Sequence, residues 1–359
     1  MNDSEISDKR NKKDFRGITF SKFKKSDAKK ELLNSLTHSR LEQACYWSGE
    51  YICAGHFLEL WEIIILYMTK CIHLGNPKLP LYIQLRFQAF KDILVNGYID
   101  NEMKMRNNNK IRILFAEIIS IVALSGKKHN LSVVKIEKGD FNMSSMPEKL
   151  KADNVNYATR IYLKDDPKEL FIAINELAYN ISKGVRNTIE ACYWLEWILE
   201  FENICKKEKK NSLFAHNRDI GNVEKKFKVD IVWMLWEIFL LEAVDRGGLT
   251  HKIINALLDI FCIHFKSGIK RKRKFLMYNV ISLLTETPNF NIQIYTEENK
   301  IENIKSKINL IYKQIKKNEV RPNTDYLFNN SFTNSDKTLE NTIEKLEKMN
   351  KIMYIPRDN

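Results

Sequence analysis

The scarcity of chain-breaking residues constrains this chain more than any other feature. Twelve glycines and seven prolines are spread over 359 residues, too few for short β-strands turning roughly every ten residues. The long stretches between them favour helices. A hydrophobic fraction of 44% is that of an ordinary folded protein, so disorder of the whole chain is excluded. The two most apolar runs, 57–72 and 231–244, carry Glu59 and Glu62, and Glu237 and Glu242. Each is too short and too charged for a membrane span, and both read as buried helices. Residues 1–30 are polar and basic, with no secretory pattern. The expectation is a soluble, intracellular, non-secreted protein.

The tetrapeptide Ala-Cys-Tyr-Trp occurs at 44–47 and again at 191–194. Further matches follow it in the same order in both halves. Leu60-Trp61-Glu62-Ile63 is answered by Leu235-Trp236-Glu237-Ile238, and Ala89-Phe90-Lys91-Asp92-Ile93 by Ala256-Leu257-Leu258-Asp259-Ile260. Leu114-Phe115 with Ile118-Ile119-Ser120 is answered by Leu276-Met277 with Val280-Ile281-Ser282. Such order points to an internal repeat. The predicted fold class is all-α: two duplicated helical bundle modules followed by C-terminal amphipathic helices.

Periodicity places helices near 26–37, 39–54, 56–73, 80–96 and 110–125, then near 167–182, 188–209, 229–245, 249–265 and 272–286. Ser39 with Glu42, and Asn187 with Glu190, fit capping boxes before each tetrapeptide. Asp166 and Pro167 fit a helix entry. Tyr46, Trp47 and Trp61, with Tyr193, Trp194 and Trp236, are the expected packing keystones, because large aromatics at helical spacing orient helix pairs. The implied domains are a disordered basic tail at 1–25, module 1 at 26–126, a linker at 127–164, module 2 at 165–287 and C-terminal helices at 288–359. The linker contains a predicted short strand at 131–137. Ile301, Ile304, Ile308, Ile311 and Ile315 form a narrow seam of coiled-coil type. With a second amphipathic helix at 337–353, it calls for an apolar surface of this chain or a protein partner at 296–353.

Signatures of catalysis are missing from the sequence. It contains neither GxSxG nor either glycine-rich phosphate loop, and its six cysteines form no CxxC pair. Cys53 with His56, Cys71 with His73 and Cys262 with His264 are isolated pairs that complete no tetrahedral zinc set. Neither metal nor cofactor is expected. Glu62 and Glu237 recur inside apolar helices. They read as structural acceptors, with a carboxylate metalloenzyme as a weaker alternative. The chain reads as a non-enzyme.

Charge carries the sharper signal. The net charge of +13 favours polyanionic partners, nucleic acid first. Lys266, Lys270, Arg271, Lys272, Arg273 and Lys274 cluster before the last helix of module 2. The matching place in module 1 holds Lys104, Arg106, Lys110 and Arg112. Two positive lips at equivalent helix starts would neutralise phosphates on one ligand. A nuclear-import signal at 270–274 is the plainer reading of that run.

The runs QACYWSGEYICAGHFLELWEIII, IHLGNPKLPLYIQLRF and EACYWLEWILEFENICKK resemble an uncharacterised family encoded by large nucleocytoplasmic DNA viruses, over residues 18–287. The resemblance implies a viral protein of the host cytoplasm, the virus factory or the virion, and supplies no catalytic residues. The expected function is non-specific contact with DNA or RNA, accessory to viral replication, transcription or packaging. The alternative is a scaffold or virion structural protein that docks a partner through its C-terminal helices.

Overall fold

Each long stretch poor in Gly and Pro becomes helix in the computed structural model, which describes residues 3–98, 102–142, 144, 146–208 and 213–320. The first half contains α1 (Lys25–Thr37), α2 (Leu41–Cys53), α3 (Phe57–Tyr67), α4 (Leu79–Val95) and α5 (Asn109–Leu124). The second contains the short α6 (Asn156–Thr159), then α7 (Phe171–Ile181), α8 (Thr188–Glu208), α9 (Val232–Val244), α10 (Gly248–Cys262), the single turn α11 (Ile269–Lys272) and α12 (Lys274–Thr285). Last comes α13 (Glu298–Lys316). The fold is all-α. Among the described residues the only β pairing consists of the isolated bridges Ile18 with Lys24 and Phe214 with Asp230. The strand expected at 131–137 does not form, for no neighbouring strand offers a ladder. Just before it, the chain instead serves the π-turn Met68–Ile72 that ends the α3 segment. The Lys128 and Asn130 amides donate to the Ile72 and Lys70 carbonyls that this turn leaves open, at 3.2 and 2.9 Å.

The all-α expectation holds, and the helices of the two halves pack as follows. α1 and α2 pack as a hairpin, as do α7 and α8; α5 lies on α2, and α12 on α8. The halves meet where α4 packs on α10 and where α12 touches the π-turn. Trp61 and Trp236 are both fully buried among phenylalanines. Trp47 and Trp194 diverge: Trp194 is fully enclosed, whereas Trp47 lies half open to solvent. Tyr46 and Tyr193 are likewise half-buried.

Several local expectations are corrected. Residues 3–24 are not a loose tail but an ordered strap, with Ile6, Phe15 and Phe20 buried. The fully buried Glu50 of α2 fastens it, accepting from Thr19 Oγ1 and the Ser21 amide at 2.8 Å each and from Ser21 Oγ at 2.6 Å. Ser39 does not cap α2; its hydroxyl donates to Ala123 O, while Asn187 does accept the Glu190 amide. Asp166 is no helix cap either, for its carboxylate is taken by Arg218 and by the Leu163 and His216 amides. The α13 seam docks on this chain's own α2 and α5, with all five isoleucines buried. Gly49 permits that approach, because a Cβ there would lie 2.7 Å from Ile315 Cδ1. The described residues up to Glu319 pack as one unit. The helix expected at 337–353 lies outside the described residues.

Arg273 ties this unit together. Its buried guanidinium donates to the Phe261 and Ile263 carbonyls at the end of α10, at 2.8 and 2.5 Å. It also pairs with Glu62 of α3, across the two halves. Replacing it leaves two buried carbonyls without donors, at about 1–3 kcal/mol each. Arg273→Met should lower the unfolding free energy by about 3 kcal/mol in urea titrations, and a loss below about 1 kcal/mol would refute the assignment.

His73 gives a pH dependence. It follows the π-turn with φ of 48° and is buried, and neither ring nitrogen meets a partner among the described residues. Burial pushes its imidazole down to about 4, with Lys128 adding to the effect and the Glu286 carboxylate opposing it. The neutral ring is the folded form, so stability is present above the ordinary value of 6.5 and is lost as pH falls toward 4. His73→Gly, which accepts φ of 48° with ψ of −127°, should abolish a loss of about 2 kcal/mol between pH 7 and pH 5. Equal urea midpoints for wild type at the two pH values would contradict this.

Candidate polyanion-binding surface

The ten cations expected to form two matching lips divide into fasteners and surface groups. In the first set, Lys104 and Lys110 are exposed while Arg106 and Arg112 are buried. Arg112 Nε donates to Arg106 O at 2.8 Å and Nη2 to Ser4 O at 3.0 Å; Nη1 donates to Asn309 Oδ1 at 3.0 Å. Its guanidinium lies 4.0 Å from the centre of the Tyr312 ring. Arg106 reaches Asp8 O and Cys53 O. Burial depresses both guanidinium pKa values from the usual arginine range, and both remain charged, since that range lies far above neutrality. They clamp the strap and α13 onto α5. The first lip therefore does not form, because half of its charge is consumed in holding backbone.

The second set splits similarly. Lys270 and Arg273 are buried. Lys274 pairs with Glu196 at 2.7 Å. Arg271 is exposed but donates to Leu199 O at 2.7 Å and faces Glu200 at 3.4 Å. Lys266 and Lys272 are fully exposed. Arg112 and Lys274 thus occupy dissimilar surroundings, and the expected equivalence of the two lips fails. Arg112 follows a strap that module 2 lacks.

What the second set does instead is gather other segments. Lys270 Nζ lies 2.5 Å from Glu202 Oε1 on α8 and 2.7 Å from Asp230 Oδ1 on the segment entering α9. Burial holds the Glu202 carboxyl above its usual range against the pull of that ammonium. Each joined segment carries lysines outward: Lys206 and Lys207 from α8, and Lys225 and Lys226 from the stretch before Asp230, all exposed. Lys206, Lys226, Phe214, Phe227 and Ser267 share one shallow hollow with Glu202 and Asp230. Lys207 lies beside Lys138 and Glu200. Among these cations Lys226 is balanced by Glu224, while Lys206, Lys207, Lys225, Lys266 and Lys272 have no ion pair among the described residues. These α8 and 225–226 lysines were not singled out from sequence. Their runs are visible there, but adjacency across α8, α11 and the chain before α9 is decided by Lys270.

The catalytic candidates are occupied otherwise. Glu62 is held by Arg273, and Glu237 by Arg218 at 2.5 Å. No disulfide joins the cysteines among the described residues, and burial pushes the Cys45 and Cys262 thiols up to about 12 and those of Cys53 and Cys192 higher still. Such thiols carry negligible thiolate at neutral pH. Among the described residues no three His, Cys, Asp or Glu side chains converge as a metal site, and no helix is long and apolar enough to cross a membrane. Comparison with protein-family models, curated proteins and solved structures finds no match to this chain.

Lys270→Met removes the shared cation and strands the buried Asp230 carboxylate and the half-buried Glu202 carboxylate, a type of loss that costs about 3–5 kcal/mol. A urea denaturation series should show a loss in that range, with the Lys272→Met control unchanged. Indistinguishable curves for the two variants would contradict the fastening role.

Proposed function

We propose that this protein holds DNA or RNA without regard to base sequence, as an accessory to viral replication, transcription or genome packaging. Lys206 and Lys226 share one hollow beside the partners of the buried Lys270, and further exposed lysines stand on the segments that Lys270 joins; this arrangement carries the reading. Point charges on flexible stems suit phosphates, which position a nucleic acid but carry no base information. The net charge of +13 acts at longer range, raising the rate of encounter with any polyanion. The setting that follows from the sequence resemblance is the host cytoplasm, virus factory or particle. The scaffold alternative is left with less, because the apolar seam of α13 that it relied on is covered by α2 and α5.

Counterion release supplies the test. Each phosphate neutralised contributes about 0.9 to the slope of log affinity against log salt. Full-length protein should bind labelled duplex and single-stranded oligonucleotides with a steep salt dependence. Changing Lys206, Lys207, Lys225, Lys266 and Lys272 together to Gln should weaken binding by more than about tenfold and reduce the slope by several units. Changing Lys104 and Lys110 to Gln should do much less. Anisotropy titrations showing an unchanged slope in the fivefold variant would overturn the proposal.

A further inference from the structure

The strap and α2 present an aromatic pair at the edge of the core: Trp47 packs against it while Phe23 stands outside. The protein has six tryptophans, and Trp61, Trp194, Trp197, Trp233 and Trp236 are all at most 3% exposed. Trp47 alone is left half in solvent. Beside it lies Phe23, 42% exposed, with ring centroids 5.2 Å apart and planes at 69°. Tyr46 meets the same indole edge-on at 5.4 Å. A lone exposed aromatic needs no explanation, but this pair is held in place. Phe23 sits in a tight turn in which the Thr19 amide donates to Phe23 O and the Lys22 amide to Thr19 O, at 2.8 and 3.1 Å. Lys22 has φ of 67°, and the Glu50 carboxylate grips the turn through Thr19 and Ser21. The ring is therefore displayed on a rigid support, its ordering cost already met in folding.

Lys22 and Lys24 flank Phe23, and Lys13 and Arg16 stand on the same strap. All four are exposed and without an ion pair among the described residues. Rigid aromatic faces among unpaired cations are what unpaired bases and their phosphates require. Bases stack on the rings whatever their identity, and the backbone follows the positive groove. A duplex hides its base faces and can use only the cations. We infer that Phe23 and Trp47 form a stacking platform for single-stranded nucleic acid, with Lys22 and Lys24 on its phosphates. This extends the polyanion reading to a second, chemically distinct site and rests on that reading for its ligand class.

Trp47 reports on its own occupancy, since the other five indoles are enclosed. Single-stranded oligothymidylate added to the full-length protein should quench the solvent-exposed, red-shifted part of the tryptophan emission. Duplex DNA at matched phosphate concentration should not. Phe23→Ala and Trp47→Ala should each weaken oligothymidylate binding at least about fivefold while leaving duplex affinity within twofold. Far-UV circular dichroism and a thermal melt confirm folding. If Trp47→Ala is unstable, Phe23→Ala, at an exposed position, carries the test. Absence of quenching, an equal loss for duplex and single strand, or unchanged affinity in a folded variant would overturn the inference. So would quenching by polyglutamate in place of oligothymidylate, which would make the pair a peptide site. The two proposals separate cleanly. Protein that binds neither polyanion refutes the general reading. Salt-dependent duplex binding without Trp47 quenching refutes only the platform, and the five-lysine variant should still show the quench at saturating oligothymidylate, though at weaker affinity.

Discussion

The buried guanidinium of Arg273 is the interaction on which the rest of this architecture depends. A helix end leaves carbonyls that must find donors, and α10 ends inside the protein, where water cannot supply them. Arg273 fills that need and, through Glu62, secures α3 of the other half. It also stands immediately before α12, whose residues from Phe275 to Thr285 are all buried. One side chain thus sets where the innermost helix of the second half begins and how that half meets the first.

The same economy governs the other cations. Arg106, Arg112, Arg218, Lys270 and Arg273 are all buried, and each is matched to carbonyls or carboxylates from segments distant in sequence. A buried charge is tolerable only with such partners. The chain is built so that its irregular stretches supply them: the strap offers Ser4 and Asp8 carbonyls, and the chain before α9 offers Asp230. Surface charge and structural charge are interleaved along the 270–274 run, where a half turn of helix separates solvent from core. The lysines that remain outside are those that no segment needed.

The two halves are finished differently. The first is closed by the strap and by α13, which returns from the far end of the chain. The second is wrapped by the long connection, where Asp140 O accepts from Trp197 and Phe141 packs on the same indole. Those coverings account for the divergence between Trp194, which is enclosed, and Trp47, which the strap leaves half open beside Phe23. Repeated residues are therefore not repeated environments. Glu62 and Glu237 make the same point, each meeting an arginine, one across the halves and one from a nearby loop.

Local chemistry by itself determined the helices. The order and approximate extents of the long helices follow from sparse Gly and Pro and from apolar spacing, because helical hydrogen bonds close within a few residues, whereas the short α6 and α11 were not legible. The isoleucine seam of α13 was legible for the same reason, though not what it would rest on. Which cations face water was beyond sequence, since exposure of Lys272 and burial of Arg273 depend on carbonyls and carboxylates that lie far along the chain. The order of the strap was hidden likewise: its polar composition reads as solvated until the buried Glu50 supplies an acceptor. Periodicity records which face of a helix is apolar; only the packed chain decides what that face, and each charge beside it, will meet.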